Sequence, residues 1–210
     1  YDFYIKSNES VFPKNYYDLS EQDKFEVLSN VKGALNPDDF ENEITRLTIE
    51  SIQAIKVIQG NIGEFGANRY VISNNENALN VMDTFALIRL SDWENPTVDV
   101  VPLFESVDDL LNAHNVMEQL YTNPVYANHL VNREMKQTIM LGFSDGTKDG
   151  GYLMANWSIY KAKEELTAIS RKYGIKVIFF DGRGGPPSRG GGKTHKFYAS
   201  LGPKIENNEI

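Results

Sequence analysis

Apolar positions in the first part of the chain recur with the spacing of helices. Ser20 followed by Asp23 is a helix-starting pattern, and apolar residues then recur every three or four positions up to a stop at Gly33. From about Asp38 to Ile58 the apolar positions again fall on one helical face. Residues 1–60 are therefore expected to form a helical segment that packs against a larger body.

The rest of the chain alternates short apolar runs, typical of buried strands, with helical stretches. The four runs are Arg69–Ser73, Val98–Phe104, Gln137–Phe143 and Ile175–Phe180. The longest helical stretch, from about Asp149 to Tyr173, carries Leu153, Trp157 and Tyr160 with the spacing of a single face.

Alternating β and α units with apolar strands predict a parallel sheet with right-handed crossovers. The predicted fold class is α/β: residues 61–210 form part of a (β/α)8 TIM-type barrel, with about four parallel strands and crossover helices, preceded by α-helices. In this fold the carboxyl ends of the strands meet at one rim, which is where ligands bind.

The last predicted strand leads into a segment rich in glycine and arginine. Six of the eleven residues from Gly182 to Gly192 are glycine. Glycine lets the backbone approach a ligand closely, and Arg183, Arg189 and Lys193 add donors that suit phosphate or carboxylate oxygens. The segment is therefore a candidate anion-binding loop.

Other interpretations of this segment fit less well. A nucleotide P-loop requires glycine five positions before Gly192, where this chain has Pro187. Two Arg-Gly-Gly triplets in an acidic chain are a poor match to RNA-binding repeats, and no amphipathic helix follows as a dinucleotide fingerprint requires. A flexible linker remains an open alternative, although the interspersed arginines argue against it.

Composition narrows the class of protein. The 210 residues carry a net charge of −8 with 41% hydrophobic residues, which predicts a soluble globular chain and argues against nucleic-acid or anionic-membrane partners. The absence of cysteine excludes disulfides and thiolate metal sites and fits a cytoplasmic location. The chain starts at Tyr1 without a methionine, so we expect a segment of a longer protein.

Charged residues follow three consecutive predicted strands. Glu105 comes after the second strand, Asp145 and Lys148 after the third, and Arg183 and Arg189 after the fourth. Two carboxylates and three cations at one rim suit a hard divalent cation together with a phosphorylated acid. Each residue alone is a weak signal, because an acidic residue after a strand is commonly a helix cap.

Four stretches resemble, in order, motifs of phosphoenolpyruvate carboxylase. RYVIS is similar to the family's YVISM strand, and VPLFESVDDL to its VPLFET-x-DDL. GFSDGTKDGGYLMANWSIYKAKEEL resembles its GYSDS-x-KD-x-G…W…Y-x-A segment, and GRGGPPSRGGG its FHGRGG…GRGG loop. The resemblance covers most of residues 16–205 and a minority of the family's much longer chain, as an internal segment of the catalytic barrel region would.

The resemblance implies conversion of phosphoenolpyruvate and bicarbonate to oxaloacetate and phosphate by a cytoplasmic, homotetrameric carboxy-lyase that uses Mg²⁺ or Mn²⁺. It makes Glu105 and Asp145 the metal ligands. It also implies catalytic roles for Lys148, Arg183 and Arg189, and a phosphate-binding role for the two arginines with Gly182, Gly184 and Gly185.

The chain departs from the family at one site position and lacks other motifs. Asp181 stands where the family has histidine before Gly-Arg-Gly-Gly, and no His-Pro-Thr motif is present. His114 and His129 lie on predicted helices and are interpreted as packing residues. We expect the isolated segment to be inactive; the alternatives are a stand-alone metal-dependent phosphate- or acid-binding module and a non-enzymatic scaffold.

Overall fold

The computed structural model describes residues 12–182, 193–207 and 209. The chain divides into two compact units. One is built from Tyr1–Tyr70 and Leu79–Asp99, and the other from Val71–Ala78 and Val100–Ile210.

The first unit is helical. Its helices are α1 (Glu21–Ser29), α2 (Glu43–Ile62) and most of α3 (Ala78–Leu90), with short 3-10 turns at Tyr16–Asp18, Pro37–Asp39 and Glu64–Gly66. Ser20 caps α1 by accepting from the backbone N–H of Asp23, as the sequence predicted. The core is apolar and includes Leu28, Ile49, Ile52, Val81 and Phe85.

Two helix boundaries predicted in this unit were wrong. Helix α1 ends at Ser29, four residues before Gly33, because the Asn30 side chain and backbone both donate to the Glu26 carbonyl. Helix α2 begins at Glu43 and not near Asp38, because Asn42 caps it through the Thr45 N–H.

The predicted apolar face of α2 is also only partly buried. Ile49 and Ile52 are inaccessible to solvent, whereas Ile44 and Leu47 are 77% and 50% exposed. Ile49 was not part of the predicted face, so the buried face is turned away from the predicted one, and it lies in the middle of the helix.

The sheet has four strands: β1 (Arg69–Ile72), β2 (Asp99–Phe104), β3 (Lys136–Gly142) and β4 (Lys176–Gly182). They lie side by side in chain order and run parallel. The register pairs Phe104 with Leu141 and Gly142 with Gly182, so the strands end close to one level. The predicted α/β class with parallel strands and crossover helices is confirmed, and it is consistent with part of a barrel.

Among its described residues, the second unit contains the helices α4 (Val107–Thr122), α5 (Pro124–Asn132), α6 (Ser144–Lys172) and α7 (Thr194–Ser200). Ser106 and Asp109 form a capping box at the start of α4. Helix α5, which the sequence analysis had not separated, begins because Asn123 caps it and Pro124 occupies its first turn. In the described part of the chain, no helix is both long and apolar enough to cross a membrane.

Helix α6 is broken near its start. Gly151 has φ 79° and ψ 167°, so a short segment beginning at Ser144 is followed by a long one that runs to Lys172. The long segment starts just after Gly151, close to the predicted start near Asp149. The predicted face is wrong, since Leu153 is 82% and Trp157 58% exposed. The buried face of the long segment carries Ala155, Ser158, Ile159, Ala162, Lys163 and Leu166.

Candidate active site at the carboxyl ends of the strands

Three strand ends bring predicted site residues to the same edge of the sheet. Glu105 follows β2 directly, Asp145 lies in the first turn of α6 after β3, and Gly182 is the last residue of β4. Because β2, β3 and β4 are neighbours and parallel, their carboxyl ends share one edge. Lys148 lies one turn beyond Asp145.

Glycines let the segment after β3 pack tightly on Glu105. A Cβ added at Gly142 would lie 3.2 Å from the Glu105 Cα, and one at Gly146 would lie 3.2 Å from the Glu105 carbonyl oxygen. Both distances are tighter than ordinary van der Waals contact. The turn that carries Asp145 therefore rests against the backbone of Glu105, which makes these two acidic residues neighbours.

The Glu105 side chain is half-buried and makes a contact with the preceding strand's loop. Its Oε1 atom accepts from the backbone N–H of Asn74 at 3.4 Å. Asn74 follows β1 and has φ 52°, a left-handed conformation that asparagine adopts more readily than most residues. The loop after β1 therefore also reaches this edge of the sheet.

Asp145 and Lys148 form an ion pair on the surface of α6. The Asp145 Oδ1 lies 2.7 Å from the Lys148 Nζ, and the two side chains are 53% and 77% exposed. Exposed pairs of this kind contribute about 0–1 kcal/mol to stability. Both charges are therefore available to exchange this contact for a bound ion or substrate at little energetic cost.

The donor set suits a hard divalent cation but is sparse. Glu105 and Asp145 offer carboxylate oxygens, the ligand type that Mg²⁺ and Mn²⁺ prefer. Among residues 12–182, 193–207 and 209, no group of three or more His, Cys, Asp or Glu side chains could hold a metal ion. Any divalent ion held here would complete its coordination with water, substrate or groups from elsewhere.

The other predicted site residues fall largely outside the described residues. Arg183, Gly184, Gly185 and Arg189 lie in the part of the sequence between Gly182 and Lys193 that the structure does not describe. Gly182 itself is closely packed, since a Cβ there would lie 3.0 Å from the Leu141 carbonyl oxygen. The strand that leads into the glycine- and arginine-rich segment is thus held tightly against β3.

A buried ion pair next to this edge was missed by the sequence analysis. The Asp181 carboxylate lies 2.8 Å from the Lys163 Nζ, and the two side chains are 6% and 1% exposed. The signal was available in the pattern: Lys163 stands between Ile159 and Leu166 with the spacing of the buried face of α6. A lysine on such a face usually has a buried acidic partner.

His114 and His129 lie within helices and do not follow a strand directly. His114 is on α4, with its Nδ1 3.2 Å from a Glu165 carboxylate oxygen on α6. His129 on α5 is buried, and burial, followed by the nearby positive charge of Arg133, lowers its pKa to about 4.

Comparisons with known proteins agree on one family. The family model described as phosphoenolpyruvate carboxylase matches residues 6–204. A protein named phosphoenolpyruvate carboxylase from Nitrosomonas eutropha is 32% identical over 208 residues, which cover 94% of this chain and 22% of the relative. The protein of that name from Corynebacterium glutamicum is 33% identical over 86% of this chain and 21% of its own length. The chain spans about a fifth of the length of these relatives, 22% and 21% respectively.

Proposed function

The chain belongs to the phosphoenolpyruvate carboxylase family, and we propose that it supplies part of an active site that converts phosphoenolpyruvate and bicarbonate to oxaloacetate and phosphate. The observation that supports this best is the contact of the Asp145-bearing turn with Glu105 at the carboxyl edge of a parallel sheet. In this proposal residues 61–210 contribute about half of a (β/α)8 barrel, and residues 1–60 are a preceding helical segment.

Glu105 and Asp145 are the residues proposed to hold Mg²⁺ or Mn²⁺. When bound, the ion would supply positive charge against the phosphate and enolate oxygens of the substrate. The chain's own proposed part is to keep the two carboxylates near each other. The tight packing of Gly142 and Gly146 on the Glu105 backbone supports this role.

Cationic residues are proposed to bind the anionic reactants. Arg183 and Arg189 suit the phosphate oxygens because a guanidinium can donate two parallel hydrogen bonds. Lys148 would exchange its contact with Asp145 for bicarbonate, whose oxygen attacks phosphorus. Gly182, Gly184 and Gly185 would let the backbone N–H groups come close to the phosphate.

Such a site acts mainly by stabilising the negative charge that develops on the reactants in the transition state. Transfer of the phosphoryl group to bicarbonate leaves negative charge on both carboxyphosphate and the enolate. Preorganised cations lower the free energy of that transition state, and loss of one such group typically costs on the order of 10²–10³ in rate. The proposed roles are therefore electrostatic for every cation, and none of them requires a covalent intermediate with the protein.

The proposed metal site is tested by calorimetric titration of the chain with Mn²⁺. We expect weak but measurable binding, because two carboxylates and water are a sparse ligand set. The Glu105→Gln, Asp145→Asn double variant should lose it. The matched control is a Glu50→Gln, Glu134→Gln double variant, which also removes two exposed carboxylates but from other elements.

A second titration, with phosphoenolpyruvate in the presence and absence of Mn²⁺, tests whether the chain binds the proposed substrate. The proposed function predicts that Mn²⁺ tightens phosphoenolpyruvate binding in the wild type and in the control variant. Equal Mn²⁺ affinity in the wild type and in the Glu105, Asp145 double variant would remove these residues from the site.

A further inference from the structure

We propose that Lys163, Asp181 and Tyr198 form an anchor that fixes both flanks of the glycine- and arginine-rich segment, which makes Asp181 a positioning residue for that segment. This inference rests on the proposed function, in which Arg183 and Arg189 bind phosphate oxygens. The three residues come from α6, β4 and α7.

The Asp181 carboxylate is held by donors from two elements. Each of its oxygens lies 2.8 Å from the Lys163 Nζ. The Tyr198 hydroxyl donates to the same carboxylate, with 3.0 Å between the oxygen atoms. Because the Lys163 and Asp181 side chains are only 1% and 6% exposed, water competes little for these contacts.

Aromatic rings from both flanks surround the Lys163 ammonium. Its Nζ lies 5.4 Å from the ring centroid of Phe179, 5.7 Å from that of Phe197 and 5.9 Å from that of Tyr198. Ring faces attract a cation at these distances. Phe179 and Asp181 precede the segment in β4, whereas Phe197 and Tyr198 follow it in α7, so one ammonium contacts both sides.

The Lys163–Asp181 contact costs much free energy to break. A buried ion pair adds little stability compared with apolar side chains of similar size, but separating the partners leaves an uncompensated buried charge and is strongly destabilising. The pair therefore fixes α6 to β4 more firmly than a surface contact would, and Phe197 and Tyr198 join α7 to the same cluster. Both ends of residues 183–192 are joined to elements held by this one cluster.

Fixed ends favour anion binding by the arginines between them. Ordering a chain segment around a ligand costs conformational entropy, and that cost is smaller when the ends already have their bound positions. Arg183 is only two residues from Asp181 in the sequence. Asp181 acts through this constraint, because its Oδ2 atom already accepts hydrogen bonds from Lys163 and Tyr198.

The test compares amide hydrogen exchange in residues 194–200 among variants. Tyr198→Phe removes one hydroxyl, and the Lys163→Met, Asp181→Leu double variant removes the charges while keeping the core apolar and folded. Exchange in this stretch should become about tenfold faster in both, as expected for loss of a hydrogen bond to a charged group. The matched control is Lys161→Met, which breaks a more exposed ion pair with Glu164 on the same helix and should leave this exchange unchanged.

Binding of phosphoenolpyruvate with Mn²⁺ is the second measurement. The dissociation constant should rise about five- to tenfold in Tyr198→Phe, and remain at the wild-type value in Lys161→Met. Unchanged exchange in both anchor variants would overturn the anchor. Faster exchange with unchanged affinity would overturn the positioning role and leave a purely structural pair.

The two proposals fail in different ways. If the wild type binds no phosphoenolpyruvate, the proposed function of this chain fails, and the exchange measurement alone still decides whether the anchor exists. If the wild type binds and the variants match it in both measurements, the anchor fails and the proposed function stands.

Discussion

Titratable side chains inside the second unit are tolerated for different physical reasons. Lys163 is inaccessible because a carboxylate and three aromatic rings replace its water shell. His129 is tolerated as a neutral ring, since burial lowers its pKa to about 4. Tyr121 is buried next to Ser170, and burial raises its pKa. Each case predicts a different response to pH.

His129 should make the chain less stable in acid. The unfolded chain binds a proton at this histidine near its ordinary pKa of about 6.5, whereas the folded chain binds it only near 4. Stability from this residue is therefore complete above about pH 6.5 and decreases as the pH falls toward 4. The loss of this contribution lowers the free energy of unfolding by on the order of 3 kcal/mol once the pH reaches about 4.

Urea unfolding between pH 4 and pH 7.5 measures this effect. In His129→Leu the free energy of unfolding should fall less steeply over that range than in the wild type, because all other groups titrate alike in both. Parallel curves for the two proteins would contradict the assignment of the acid sensitivity to His129.

The sequence predicted where individual residues lie when chain order alone decides their position. Glu105 and Asp145 were predicted because each follows a strand, and parallel neighbouring strands bring such residues to one edge. The Lys163–Asp181 pair was not predicted, because its contact also depends on how α6 packs on β4. The spacing of Lys163 between Ile159 and Leu166 indicates a buried position for the lysine, but it does not identify the acidic partner.

At the scale of elements, small residues determine how closely the strand ends approach. Gly142 and Gly146 allow the β3–α6 connection to lie on Glu105, and Gly182 allows β4 to lie on Leu141. In contrast, Gly60 in α2 has no neighbour within 4 Å of its Cβ position. Glycines in the two places should therefore respond oppositely to the same substitution.

Gly142→Ala should lower the free energy of unfolding by about 1–2 kcal/mol, because the new methyl group crowds the Glu105 backbone. Gly60→Ala should raise it by about 0.5–1 kcal/mol, because alanine favours a helix interior. Chemical denaturation of the wild type and of both variants measures the sign of each change in the free energy of unfolding. A stabilising Gly142→Ala would show that the Glu105 contact is looser than the distances indicate.

Element type was more predictable than element boundaries or faces. All four strands were found near their correct positions. Three of them, β2 to β4, are largely buried and have the continuous apolar runs typical of buried parallel strands. The predicted face of α6 was wrong although Leu153 and Trp157 both follow the break at Gly151. These two apolar side chains are exposed, whereas smaller side chains such as Ala155 and Ala162 are buried. Apolar spacing alone therefore does not identify the buried face of this helix.

At the scale of the whole molecule, the chain holds part of the proposed site without the rest. It spans 22% of the Nitrosomonas relative, and its four parallel strands are half the number of an eight-stranded barrel. Large apolar side chains on α6 are exposed in this chain, including Leu153 at 82% and Trp157 at 58%. In the proposed parent protein such surfaces would be covered by further chain.

We expect the 210-residue chain alone to produce no oxaloacetate. It contains no His-Pro-Thr motif, and loss of even one charge-stabilising group costs on the order of 10²–10³ in rate. The assay couples oxaloacetate to malate dehydrogenase with Mg²⁺, bicarbonate and phosphoenolpyruvate, and a full-length relative serves as the positive control. Sustained turnover by the chain alone would show that its own residues suffice.

The buried Lys163–Asp181 pair also limits which single replacements at these two positions leave the fold stable. Replacing Asp181 alone with the histidine of the resembled motif would leave the ammonium, which is 1% exposed, without its carboxylate. Replacing Lys163 alone would leave the buried Asp181 carboxylate without its cation. The two positions are therefore expected to change together, because either single replacement leaves a buried charge without its partner.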